Sequence, residues 1–158
     1  MMRAVLSVLV AVTSFLTVSS PASAGSAHTA TGDLAYIRRE LYSVSITQFT
    51  ADANSTGDRW FDWSTDWCSA PLVGSTGRSF DFRASCRRHD FGYRNLQLLE
   101  RRYGAAGRYW NGTSRLQVDR QLLEDMKAHC TARPWYEEAT CRLWADTFYA
   151  AVRVAGGP

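Results

Sequence analysis

Lysine is nearly absent. Of 18 basic residues only Lys127 is a lysine, and the rest are arginines. Set against 15 acidic residues, they leave a formal charge of +3, an excess too small to demand nucleic acid. Guanidinium groups nevertheless suit phosphate through their planar fork. After residue 24 no run is apolar enough to span a bilayer, so no internal membrane helix is expected. No stretch of useful length alternates apolar and polar residues, and there is no internal repeat, which argues against a sheet. The sequence has no C-x-x-C pair and only three scattered histidines, a poor basis for zinc. It also lacks G-x-S-x-G, the strand-to-helix elbow of a serine hydrolase. Compositional bias is missing too. With 46% hydrophobic, 13% aromatic and 21% charged residues in 158, disordered and collagen-like readings drop out, and the length suits one domain.

What is present starts with an export signal. Arg3 gives a positive start, Ala4 to Val18 is apolar, and Ala22-Ser23-Ala24 is an A-x-A cleavage site. The apolar run falls short of the ~20 residues of a spanning helix, so residues 1–24 read as a secretory signal peptide and the mature protein as secreted and extracellular. Residues 25–32, small and polar, read as a disordered N-terminal tail, and 33–158 as a single domain. Cys68, Cys86, Cys130 and Cys141 all lie in the mature part. An even count in a small exported domain implies two disulfides. Three pairings are possible and spacing alone does not choose among them. The expectation is the sequential one, Cys68–Cys86 and Cys130–Cys141, which closes two short loops.

Along the chain, Asp33 reads as an N-cap, followed by Leu34, Ile37, Leu41 and Val44 on one helical face. Residues 50–57 form a polar break, and 60–78 read as a long loop. Asn54 and Asn111 each stand in a formal glycosylation sequon. Asp81 can cap a helix from Phe82 to about Arg102 with an inward stripe of Phe82, Cys86, His89, Asp90 and Tyr93. Ser114 and Gln117 make a capping-box pattern opening a helix to about Cys130, with Asp119, Leu122, Leu123 and Met126 on one face. Pro134 fits the first turn of a last helix that sends Cys141, Trp144, Phe148 and Ala151 inward. The fold class is therefore all-α: a small, disulfide-stapled helical domain. Trp60, Trp63, Trp67 and Trp110 fall in loops, where a tryptophan can anchor at a lipid interface.

Polarity inside these stripes is the informative oddity. Singly, His89 reads as a core histidine, Asp90 as a surface charge and Asp119 as a first-turn aspartate favourable to the helix dipole. Together they are two inward acids and one inward histidine, and buried carboxylates must be satisfied by each other or by a cation. Adjacent helical residues point about 100° apart, so His89 and Asp90 can flank one cavity. Asp90 then faces a hard cation, with oxygens from the loop Asp62 to Cys68. His89 faces a water as general base, oriented by Asp119. A Cys68–Cys86 bridge brings Asp66 and the Trp67 carbonyl beside Asp90.

Phe61-Asp62-Trp63-Ser64-Thr65-Asp66-Trp67-Cys68, then Cys86-Arg87-Arg88-His89-Asp90-Phe91-Gly92-Tyr93-Arg94-Asn95, then Asp119 with Glu124-Asp125-Met126-Lys127 resembles secreted phospholipase A2 of the prokaryotic/fungal type. The resemblance runs over about residues 60–153. It implies calcium-dependent hydrolysis of the sn-2 ester of glycerophospholipids, on two antiparallel helices carrying the His-Asp site plus a calcium-binding loop. Residue by residue it implies His89 as the base, Asp119 as its partner and Tyr93 as the support of Asp119. Asp66, Asp90 and the main-chain oxygen of Trp67 become calcium ligands. Phospholipid at a membrane or micelle surface is the implied partner; no nucleic acid is expected, and a monomer is the default. Two other readings compete: a secreted ribonuclease-like phosphodiesterase, and a non-catalytic lipid-binding module on the same scaffold.

Overall fold

The structure is a computed structural model describing residues 28–55, 58–68 and 80–155. The expected signal peptide, residues 25–27 of the expected tail and residues 69–78 of the long loop lie outside the described residues. The described residues form five α-helices and no strand: α1 Ala30–Tyr42, α2 Ile46–Asn54, α3 Arg83–Tyr103, α4 Gly112–Thr131 and α5 Trp135–Ala155.

Helix starts follow local hydrogen bonding more closely than the sequence patterns did. Thr29, not Asp33, caps α1 and accepts from the Gly32 amide, so residues 30–32 are helical and not tail. Asp33 is instead buried in the first turn, where its carboxylate takes hydrogen bonds from Trp60 at 2.6 Å and Tyr103 at 3.1 Å and pairs with His28 at 2.8 Å. The polar break at 50–57 is largely the body of α2, opened by Ser45, whose side chain caps the Gln48 amide. Its apolar face is narrow: Phe49 and Ala53 are its buried residues. Asp81 takes the Arg83 amide just ahead of α3, and Phe82 stands at the N-cap without a side-chain bond. The capping box of α4 is Asn111 with Ser114, so the helix opens earlier than the Ser114–Gln117 pattern implied. Asn111 is thereby committed as a cap, and its amide also donates to the Gly107 carbonyl at 2.7 Å.

Cross-helix pairs give the topology. From Arg88–Asp125 through His89–Asp119 to Tyr93–Arg115, numbers rise along α3 and fall along α4, so the two helices run antiparallel. Helix α5 is antiparallel to α4 in the same way, from Cys130–Cys141 through Lys127–Asp146 to Asp119–Arg153. One core cluster joins α1, α2 and α3 through Ile37, Leu41, Phe49, Phe91 and Leu99. A second joins α4 and α5 beneath Phe82 and the disulfides, through Leu122, Met126, Ala145 and Phe148. Trp60, Trp63 and Trp110 pack against the first cluster, which leaves Trp67 as the exposed loop tryptophan, 43% accessible. Arg88 of α3 is buried and donates to the Leu41 and Val44 carbonyls.

Gly92 lets α3 approach its neighbours. A Cβ there would stand 2.8 Å from a Val118 methyl and 2.9 Å from a Leu41 methyl. Both side chains are fully buried, so neither has room to give. Gly92→Ala should destabilise the fold by about 1–3 kcal/mol, the usual cost of overpacking, read as a lower denaturant midpoint at unchanged slope.

Candidate active site

Helix α3 brings two polar groups, His89 and Tyr93, to one carboxylate of α4. His89 Nε2 lies 2.8 Å from Asp119 Oδ1, and the Tyr93 hydroxyl donates to the same oxygen at 2.6 Å. His89 and Tyr93 are one helical turn apart, so both reach one carboxylate; their rings lie 4.3 Å apart. Asp119 stands two turns into α4 and is fully buried, which removes the first-turn dipole reading. Burial pushes its carboxyl up, but hydrogen bonds from His89, Tyr93 and Arg153 prevail and hold it below the ordinary aspartate range. Burial and the bond to Asp119 push the Tyr93 phenol up, which keeps it a donor.

Asp90 turns to the other side and meets the loop. Its Oδ2 accepts from Thr65 Oγ1 at 2.5 Å and from the Asp66 amide at 3.1 Å. Its Oδ1 accepts no hydrogen bond among the described residues. Burial raises the Asp90 carboxyl; the Thr65 bond opposes this, and the charge of Asp66 adds to it. A half-buried carboxylate held beside a second one is a donor set for a hard cation. Asp66 also lies 3.7 Å from the Arg94 guanidinium. Trp67 and Cys68 both adopt left-handed backbone, φ 57° and 36°, at the point where the loop is tied down by Cys68–Cys86. Non-glycine residues hold such angles when the surroundings fix them. Among the described residues no three His, Cys, Asp or Glu side chains converge, and the two carboxylates that interact here are Asp90 and Asp66.

The expected disulfides, Cys68–Cys86 and Cys130–Cys141, are both present. The structure thus gathers the expected residues in two adjoining groups: His89, Asp119 and Tyr93, and Asp90 with Asp66 and Trp67. A cavity of about 580 Å³ lined by Leu34, Arg38, Tyr109 and Gln117 includes none of these groups.

Four supporting residues escaped the sequence reading. Thr65 bridges Asp90 and the Trp67 amide. Asn95 exchanges two hydrogen bonds with the backbone of Asp62 and so pins the loop's start to α3. Arg115 donates to the Tyr93 hydroxyl at 3.0 Å, and Arg153 of α5 donates to Asp119 Oδ2 at 2.5 Å. Only Arg115 left a signal, its i,i+4 spacing to Asp119.

The chain is similar to known proteins along most of its length. A model of the prokaryotic phospholipase A2 family matches residues 38–156. A secretory phospholipase A2 of Arthroderma benhamiae is 36% identical over 155 residues, covering 96% of this chain and 95% of that protein. A secretory phospholipase A2 of Beauveria bassiana is 32% identical over 119 residues, 75% of this chain and 56% of that protein. With a family match over three quarters of the sequence and a relative similar over nearly its whole length, the chain belongs to the prokaryotic phospholipase A2 family and is an enzyme of that kind.

Proposed function

We propose that this is a secreted, calcium-dependent phospholipase A2 that hydrolyses the sn-2 ester of glycerophospholipids to a fatty acid and a lysophospholipid. The observation that carries the reading is one carboxylate, Asp119, holding His89 while the next residue on α3, Asp90, is held by the loop. Asp119 takes the Nε2 side of the ring, which leaves Nδ1 to accept a proton from water as the water oxygen attacks the ester carbonyl. The imidazolium so formed is stabilised by Asp119, and its proton then passes to the departing glycerol oxygen. Tyr93 keeps Asp119 aligned through the same oxygen. No side-chain nucleophile is required, and no free cysteine stands among the described residues.

Asp66, Asp90 and the main-chain oxygen of Trp67 are the residues to hold calcium, whose Lewis acidity would serve the substrate phosphate and the ester oxyanion. The all-oxygen donors and the uncompensated Asp90 Oδ1 fit that ion. The Cys68–Cys86 bridge, Cα atoms 5.1 Å apart, ties the loop to α3 one turn before His89. Replacing both cysteines by serine should therefore weaken calcium binding as well as stability. About 3 kcal/mol is the chain-entropy expectation for a loop of this size. A calcium titration of the double variant, set beside its unfolding curve, checks both parts.

The enzyme works as a monomer at a membrane or micelle surface. Residues 1–24 act as the export signal, and no nucleic acid takes part. No helix among the described residues is long and apolar enough to cross a membrane. The test is the initial rate on phosphatidylcholine vesicles in millimolar calcium and in excess chelator, with RNA as a parallel substrate. Fatty acid should be released in calcium only, with the RNA intact. Full activity in chelator would refute the metal part, and RNA cleavage would favour the phosphodiesterase reading.

A further inference from the structure

Asp119 has a second neighbour set that the water-activation scheme leaves unused. While Oδ1 serves His89 and Tyr93, Oδ2 accepts from Arg153 at 2.5 Å and lies 3.7 Å from Arg115 Nε. Arg153 belongs to the last turn of α5, whereas the other partners come from α3 and α4. Arg115 fastens that turn: its guanidinium donates to the backbone carbonyls of Val152 at 3.2 Å and Arg153 at 2.8 Å, groups a helix end leaves unpaired. Through Nε it also reaches Tyr93. The contacts close a circuit from Tyr93 through Arg115 to the end of α5, and back through Arg153 to Asp119.

We propose that Arg153 is a positioning residue for the His89–Asp119 pair, and that the last turn of α5 is the third wall of the active site. The inference rests on the catalytic reading above. A carboxylate anchored at Oδ1 alone can swing about its Cβ–Cγ bond; a charge-assisted bond at Oδ2 fixes the plane in which Oδ1 meets the imidazole. Arg153 also supplies the cation that a fully buried carboxylate needs beside a neutral histidine. Its side chain is 32% exposed, so a small solute can enter the space it vacates.

The test compares Arg153→Gln, Arg153→Lys and Arg153→Ala with the wild type under saturating calcium. Arg153→Gln should lower kcat by roughly 10- to 100-fold, the scale of a misplaced reacting pair, with KM and calcium requirement nearly unchanged. Lys should restore part of the loss. Guanidinium ion at concentrations far below denaturing should raise kcat of Arg153→Ala several-fold, while urea, its neutral isostere, should not. The downfield proton resonance of His89 Nε2–H, read in the resting protein, should shift or broaden in Arg153→Gln. Wild-type kcat in Arg153→Gln overturns the proposal. So does a loss shared equally by Gln and Lys that follows melting temperature and is not relieved by guanidinium, because that pattern marks a purely structural cross-link. A wild-type-like His89→Gln would refute the catalytic reading instead. In that event the ring-proton signal still decides the inference, since an unaltered resonance in Arg153→Gln overturns it.

Discussion

Replacing His89 by Gln should lower the rate of ester hydrolysis by at least about 10²-fold, the low end of what a general base contributes, while leaving calcium affinity unchanged. The ring sits 2.8 Å from Asp119 and is mostly enclosed, and no second histidine or acid bonds to it among the described residues. A glutamine amide can hold Asp119 but cannot carry the proton from water to the leaving oxygen. Asp119→Asn should cost less, because an amide still contacts the ring, though it can favour the wrong tautomer. The two variants should also separate in acid. Asp119 titrates below its ordinary 3.8 in the fold, so its contribution to stability is complete above that value. It is lost as pH falls through the lower folded value. Wild type and His89→Gln keep the carboxylate and its partners Tyr93 and Arg153, whereas Asp119→Asn gives up this pH-dependent increment. Kinetics, calcium titrations and acid unfolding curves of folded variants decide these points.

The second large effect is expected at Asp90. Asp90→Asn should raise the calcium requirement by at least roughly 10- to 100-fold, since even an outer-shell change at a metal site costs that much. It should do so without unfolding the loop, because an asparagine oxygen can accept from Thr65 Oγ1 and the Asp66 amide as the carboxylate does. In chelator the variant should be at least as stable as the wild type, because it removes a charge that burial and Asp66 both disfavour. Added calcium should then separate them. At about 100 times its Kd a ligand stabilises by ~2.7 kcal/mol, and only the wild type should show that increment at that concentration. A variant less stable than wild type in chelator would mean that Asp90 serves the fold before it serves a cation.

How much of this was legible in the sequence depended on the kind of signal each residue left. His89, Asp90 and Tyr93 could be read because they interrupt an apolar helical stripe at fixed spacing, and Asp119 because it opens another. The disulfides were legible because the four cysteines are few and the short loops favour neighbours. Helix α2 was not, since a nine-residue helix burying chiefly Phe49 and Ala53 looks polar along its length. Asp33 resembled a cap because its burial depends on Trp60 and Tyr103, which lie 27 and 70 residues away. Arg153 left no signal in the sequence, since only the antiparallel packing of α4 and α5 brings it to Asp119. Local chemistry can be read from spacing; partners delivered by tertiary packing cannot.

The central claim, water activated by His89 at the sn-2 ester, is tested most directly by product analysis on a phosphatidylcholine with different acyl chains at the two positions. In calcium, the wild-type protein should release the sn-2 chain and leave the 1-acyl lysophospholipid, and His89→Gln should release at least about 10²-fold less. Release of the sn-1 chain or of the headgroup by the wild type, or undiminished sn-2 release by His89→Gln, would contradict it.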